Sequence, residues 1–282
     1  MAPITSIGKY QVLSTLGKGA NSVILHVRRA ADSREYALKV VPLNGAADRK
    51  FLDQAKHEHR VSQKLNHVNL IKVHTLELRR NWMFAVKKAE ILIEYVNGKT
   101  LDAVPLGIKE AVPVFGQVTA GLAHMHRRGV FHADLKPGNI LVGKRGEVKV
   151  IDYGLAWIKG EQKERVQGTP EYMAPETVKN KTVNERTDIY NLGATMYRVV
   201  TQKLPPSTMP VEGAPMRIGS KAHAALLTPV QDLNRGAPPA LAELIHCCLC
   251  YDPEKRPKRM GEVLDELRKI AAGLGVPFSD EE

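Results

Sequence analysis

Asp134 and Asn139 stand five residues apart, and Asp152 follows the apolar run Val148-Lys149-Val150-Ile151, so two carboxylates and an amide can converge at one loop end. Such a set can aim a hydroxyl, accept its proton and hold a divalent cation. Earlier in the chain, Gly17-Lys18-Gly19-Ala20-Asn21-Ser22 lies between two strand-like runs. Its small residues would let backbone N–H groups approach phosphate oxygens, although a glycine pair in a hairpin is more often a plain turn. Ser22 occupies the place of the third glycine of a dinucleotide fingerprint, and a strand rather than a helix follows, so the Rossmann reading fails. Lys39, in Tyr36-Ala37-Leu38-Lys39-Val40, shares a strand face with Ala37, the side a glycine loop could cover. Glu58 falls mid-helix in His57-Glu58-His59-Arg60. The two are either ordinary surface charges or an ion pair that steadies Lys39 against phosphates.

The elements that must position these groups change character along the chain. Residues 10–16, 23–29, 35–41, 70–78 and 91–95 read as strands, rich in β-branched and aromatic residues between turn signals. One amphipathic helix over 48–65 interrupts them, with Phe51, Leu52, Ala55, His59, Ser62 and Leu65 at three- and four-residue spacing. After the turn Val96-Asn97-Gly98 the pattern becomes helical over 108–126, 184–200, 241–250 and 258–271, with short strand-like pieces at 140–142 and 148–151. The proline-rich segment 204–239 is the least regular, and the pattern does not place its helices. An α+β chain of two lobes follows: a five-stranded antiparallel sheet with one helix, then a mainly helical part.

The run His132-Ala133-Asp134-Leu135-Lys136-Pro137-Gly138-Asn139, then Asp152-Tyr153-Gly154, then Ala174-Pro175-Glu176 resembles the catalytic, metal-binding and activation-segment motifs of the protein kinases. The resemblance covers residues 10–272, split as 10–96 and 97–272, with 1–9 and 273–282 as terminal extensions. It is nearest to the serine/threonine branch, including the eukaryotic-like kinases of bacteria, because Lys136 follows Asp134 by two and Gly168-Thr169-Pro170-Glu171-Tyr172 precedes Ala174.

The resemblance implies ATP held between the lobes, with Mg²⁺ or Mn²⁺, and a γ-phosphoryl transfer to Ser or Thr of protein substrates. Asp134 and Lys136 would be catalytic, Asn139 and Asp152 would hold metal, and Lys39 backed by Glu58 would hold the α- and β-phosphates. The nucleotide would be enclosed by Leu16, Gly17, Lys18, Gly19, Ala20, Ser22, Ile24, Ala37 and Leu141, its adenine bonded to the backbone at Glu94 and Val96, with Ile93 behind it. Asp188 would brace the catalytic loop, Glu176 would pair with Arg256, and Cys247, Cys248 and Cys250 would be small core residues.

The chain also departs from the pattern. Ala133 stands where an arginine is usual, and residues 155–168 contain no Ser, Thr or Tyr, so activity is expected to be independent of phosphorylation there, with Lys, Glu and Arg holding the segment instead. The hydroxyl of Thr169 is expected on the catalytic loop. Gly138 and Thr100 replace acidic positions, which favours acidic or neutral target sequences. Tyr153 replaces a phenylalanine and needs a partner for its hydroxyl.

Composition narrows the alternatives. Forty-one Lys and Arg against 30 Asp and Glu give a net charge of +11, yet the cations are scattered in short pairs, so no dedicated nucleic-acid site is expected. Three clustered cysteines in 282 residues form no disulfide framework, and neither a leader pattern nor a spanning segment is visible, so a cytoplasmic location is expected. The acidic end Ser279-Asp280-Glu281-Glu282 reads as frayed. The competing readings are a pseudokinase scaffold, disfavoured because Lys39, Asp134 and Asp152 are all present, and a kinase-like transferase with a non-protein substrate. The sequence indicates no oligomeric state.

Overall fold

The computed structural model describes residues 6–19, 21–161, 167–209 and 220–279. They fall into two compact units. The first comprises Met1–Asn66, Ile71–Asn97 and Asp152–Gly154; the second comprises His67–Leu70, Gly98–Ile151 and Leu155–Glu282.

The first unit is built on an antiparallel sheet of β1 (Ser6–Ile7), β2 (Tyr10–Gly19), β3 (Ser22–Arg29), β4 (Glu35–Pro42), β5 (Val73–Arg80) and β6 (Val86–Glu94), in the order β1-β2-β3-β4-β6-β5. Six strands replace the five expected, because Ser6 and Ile7 pair with Gln11 and Tyr10 as a two-residue edge too short to show a period. β5 starts at Val73 rather than residue 70, and β6 starts at Val86 rather than 91. The charged start Val86-Lys87-Lys88 masks a strand whose next residues, Ala89 to Leu92, are buried. Tyr10, Leu25, Val27, Tyr36, Leu38 and Leu92 form one core on this sheet. Helix α1 (Arg49–Ser62) buries Ala55, Glu58, Val61 and Ser62, a three-residue rhythm that keeps one stripe inward.

The second unit contains β7 (Gly98–Thr100), α2 (Ile108–Arg127), β8 (Val130–Phe131), β9 (Ile140–Gly143), β10 (Val148–Val150), β11 (Trp157–Ile158), α3 (Pro175–Asn180), α4 (Glu185–Thr201), α5 (Ser220–Leu226), α6 (Val230–Leu233), α7 (Pro239–Cys248) and α8 (Met260–Leu274). β10, β9 and β7 form one small sheet, and β11 pairs with β8 in another. α4 is buried almost throughout, and Asn184 opens it with a capping box: its side chain accepts from Arg186 N and Thr187 N while Thr187 Oγ1 accepts from Asn184 N. The segment 204–239, whose helices the sequence does not place, supplies α5 and α6, while 210–219 lie outside the described residues. No helix among the described residues is long and apolar enough to cross a membrane.

Candidate active site

In the first unit, strand register gathers the expected nucleotide-binding residues. Gly17 pairs with Ile24, Ile24 with Lys39, and Lys39 with Ile91, so one row crosses β2, β3, β4 and β6. Gly19 faces Ser22, and Ala37 faces Ile93. Lys18 and Leu16 lie on the same β2 end and are exposed. Glu94 pairs with Tyr36 at the end of β6, and Val96 follows it. Ala20 lies outside the described residues.

Lys39 Nζ donates to Glu58 Oε2 at 2.7 Å, with side chains only 17% and 4% exposed. Burial opposes the ammonium charge, but the carboxylates of Glu58 and then Asp152 outweigh it and hold Lys39 above the ordinary lysine range. A charged, buried and oriented ammonium is suited to an anionic ligand. It lines a pocket of about 200 Å³ together with Asn21, Ser22, Phe51, Glu58 and Asp152. Gln54 lines it too, and a Cβ on Gly154 would lie 2.6 Å from Gln54 Nε2. Sequence reading missed Asn21, Phe51 and Gln54 as pocket residues, since nothing but the helical phase of α1 marks the last two. Asp152 takes a left-handed φ of 67°, and its Oδ1 accepts from Gly154 N at 3.1 Å. Tyr153, fully buried, finds the partner its hydroxyl requires, donating to Ile71 O at 3.0 Å.

In the second unit, Asp188 fixes the loop that carries Asp134. Its two carboxylate oxygens accept from Ala133 N and His132 N, both at 2.8 Å. Ala133 has a φ of 66°, a conformation that costs an L-residue roughly 1–2 kcal/mol and that these two charge-assisted bonds offset. His126 Nε2, on α2, also donates to Asp188 Oδ2 at 2.7 Å. Sequence reading overlooked His126; its position near the end of a helix gave no hint of a partner so distant in the chain. His132 Nδ1 accepts from Asp134 N at 3.3 Å, which leaves Nε2–H to donate to Ile151 O at 3.1 Å.

Asp134 itself is surrounded by donors. Thr169 N and Thr169 Oγ1 lie 2.7 and 2.8 Å from Oδ1, and Lys136 Nζ lies 3.1 Å from Oδ2. Asn139 Nδ2 donates to the Asp134 backbone carbonyl at 2.8 Å, so the amide is turned with its oxygen free of that bond. An amide oxygen and a carboxylate are hard donors of the kind Mg²⁺ accepts beside phosphate, so Asn139 and Asp152 each fit a metal-holding role. Leu141 is half-buried on β9. Glu176 and Arg256 form the expected pair, with Nη1–Oε1 2.8 Å and Nη2–Oε2 2.9 Å. Cys248 is buried, but Cys247 and Cys250 are only half-buried, so one of the three is a core residue in the sense expected. Asp102 brings a carboxylate beside Gly138, 3.7 Å from where a Cβ would stand, so the lost acidic side chain at Gly138 does not leave that surface without negative charge.

Residues 10–266 match the family model of the protein kinase domain. The chain belongs to that family. The kinase domain is 27% identical over 271 residues to a probable serine/threonine-protein kinase of Clostridium acetobutylicum, covering 93% of this chain and 40% of that protein. It is 28% identical to the serine/threonine-protein kinase PrkC of Bacillus subtilis over 70% of this chain and 31% of that one. It is also 28% identical to the serine/threonine-protein kinase PknA of Mycobacterium tuberculosis, over 97% and 64%. The kinase domain thus spans between about a third and two thirds of the length of these relatives.

Proposed function

We propose that this kinase domain transfers the γ-phosphoryl group of ATP to Ser or Thr hydroxyls of protein substrates. Lys39, steadied by Glu58, holds the α- and β-phosphates. Asp134 orients the incoming hydroxyl and accepts its proton, while Lys136 lies against the γ-phosphate. Asn139 and Asp152 hold Mg²⁺, which supplies neutralising charge to the phosphates. Little covalent work is left to the protein, so the rate depends on position and charge.

The observation that supports this most directly is the Asp134 carboxylate. Thr169 and Lys136 surround it with donors, which fixes its direction. That arrangement favours an active kinase over a pseudokinase scaffold.

Incubation with Mg²⁺, γ-labelled ATP and a general Ser/Thr protein substrate tests the proposal. Label is expected on phosphoserine and phosphothreonine, and Asp134→Ala should reduce it by about 10²–10⁴-fold. Equal labelling by both proteins, or transfer of the adenosine moiety instead, overturns the reading.

A further inference from the structure

The basic pairs Arg79-Arg80 and Lys87-Lys88 are short and separate in sequence. The β5–β6 hairpin brings them together, with Arg79 directly across from Lys88 and Arg80 across from Val86. Facing like charges repel, and carboxylates behind the tip answer the first pair. Arg79 Nε donates to Glu90 Oε2 at 2.8 Å, Lys88 Nζ lies 2.7 Å from Glu90 Oε1, and Arg79 Nη2 lies 2.7 Å from Glu77 Oε2. Arg80 instead donates to the Phe84 carbonyl at 2.7 Å, and Lys87 is exposed. Neither has a carboxylate partner among the described residues. From Arg79 to Lys88 the segment holds four cations and no acid.

Between the pairs, Trp82, Met83 and Phe84 are 85%, 60% and 79% exposed. The loop is built to hold them there. Asn81 Oδ1 accepts from Met83 N (3.1 Å) and Ala85 N (2.9 Å), Asn81 N donates to Ala85 O (2.9 Å), and Phe84 N donates to Asn81 O (3.0 Å). Phe84 adopts a φ of 60°, where glycine or asparagine would be less strained, so a bulky ring is kept at the turn against its backbone preference.

Three consecutive apolar side chains at the end of a hairpin suit a medium that can surround them better than a rigid pocket that would cover one. Tryptophan favours the headgroup level of a bilayer, and cations beside apolar residues match anionic headgroups. A chain of net charge +11 approaches such a surface favourably. We propose that this tip docks the kinase domain on an anionic lipid surface, with Trp82, Met83 and Phe84 entering the headgroup region and Arg80 and Lys87 facing the phosphates.

The chain's two tryptophans are Trp82 and Trp157, so Trp157→Phe leaves Trp82 as the reporter. With vesicles of phosphatidylcholine and phosphatidylserine, the protein should sediment and Trp82 emission should move to shorter wavelength; phosphatidylcholine alone should do neither. Each Lys or Arg near an anionic surface strengthens binding about fivefold, so Arg80→Gln with Lys87→Gln should weaken it roughly 30-fold. Trp82→Ala with Phe84→Ala should weaken it at least about tenfold, with the thermal midpoint and the turnover of a soluble substrate unchanged. Absence of binding to phosphatidylserine vesicles overturns the proposal, as does undiminished binding by either double variant. A Trp82 shift that follows protein concentration without vesicles overturns it as well, assigning the tip to a second copy of the chain.

Discussion

Thr169 holds the carboxylate of Asp134 twice, through its backbone N–H at 2.7 Å and its hydroxyl at 2.8 Å, both on Oδ1. Lys136 Nζ closes the ring, 2.5 Å from Thr169 Oγ1 and 3.1 Å from Asp134 Oδ2. Because the ammonium can only donate, the Thr169 hydroxyl accepts from it and turns its own proton to Asp134. Thr169 is therefore a positioning residue. Thr169→Ala keeps the backbone bond and removes the hydroxyl, a charge-assisted interaction of about 1.5–3 kcal/mol. Turnover should fall roughly tenfold to a hundredfold with KM for ATP unchanged, and Thr169→Ser should restore most of it. Steady-state kinetics check this; a serine variant as slow as alanine would count against it.

The same contacts bear on regulation. Trp157 and Ile158 pair with Phe131 and Val130, and Lys159 N donates to Gly129 O at 2.7 Å, so the segment after Asp152-Tyr153-Gly154 is anchored at one end, while Thr169 anchors the other. Residues 162–166 between them lie outside the described residues. Ala133, not an arginine, stands immediately before Asp134, and no hydroxyl-bearing residue lies in 155–168. Phosphatase-treated protein should therefore turn over substrate as fast as protein incubated with ATP. Loss of activity on treatment, regained by autophosphorylation, would refute that independence.

What could be read in advance depended on whether the cause was local. Strand alternation put Lys39 beside Ala37 but left its pairing with Glu58 open, and only the kinase resemblance supplied it; Tyr153 was legible because an aromatic hydroxyl in an apolar slot demands an acceptor. β1, β8 and β11 are two residues long, shorter than one repeat of any pattern. The start of β6 was hidden because Lys87, Lys88 and Glu90 interrupt its apolar run, and Glu90 is buried through a partner on the neighbouring strand, Arg79. His126 was invisible for the same reason at longer range: it matters through Asp188, 62 residues away.

Arg256 offers a test of packing in the second unit. Its guanidinium reaches both oxygens of Glu176, donates to the carbonyls of Cys250 (2.7 Å) and Arg186 (2.9 Å), and lies over the Tyr190 ring. Arg256→Met strands the buried Glu176 carboxylate and should cost about 3–5 kcal/mol in urea unfolding. Arg256→Lys cannot supply the planar fork and should recover little of the loss. Adding Glu176→Gln to Arg256→Met should cost less than the sum of the single changes, because the charge left unpaired is then removed. Additive losses would mean that the two side chains act separately.

His126 sets the pH range in which the loop brace is strongest. Its side chain is 4% exposed; Nε2 donates to Asp188 Oδ2, and Nδ1 lies 3.2 Å from Glu185 Oε1. Burial alone would lower its pKa, but the Asp188 bond, then Glu185, raise it to about 9. A folded-state value above the ordinary 6.5 means that the protonated ring stabilises the fold fully below about pH 6.5 and that this contribution is lost as pH rises through about 9. The shift corresponds to on the order of 3 kcal/mol. Urea unfolding from pH 6 to 10 should therefore show stability falling across that window. His126→Gln can still donate to Asp188 but carries no titrating proton, so its stability should be lower at pH 6 and nearly level through the window. A His126→Gln curve that falls as steeply as the parent's would place the pH dependence on another group.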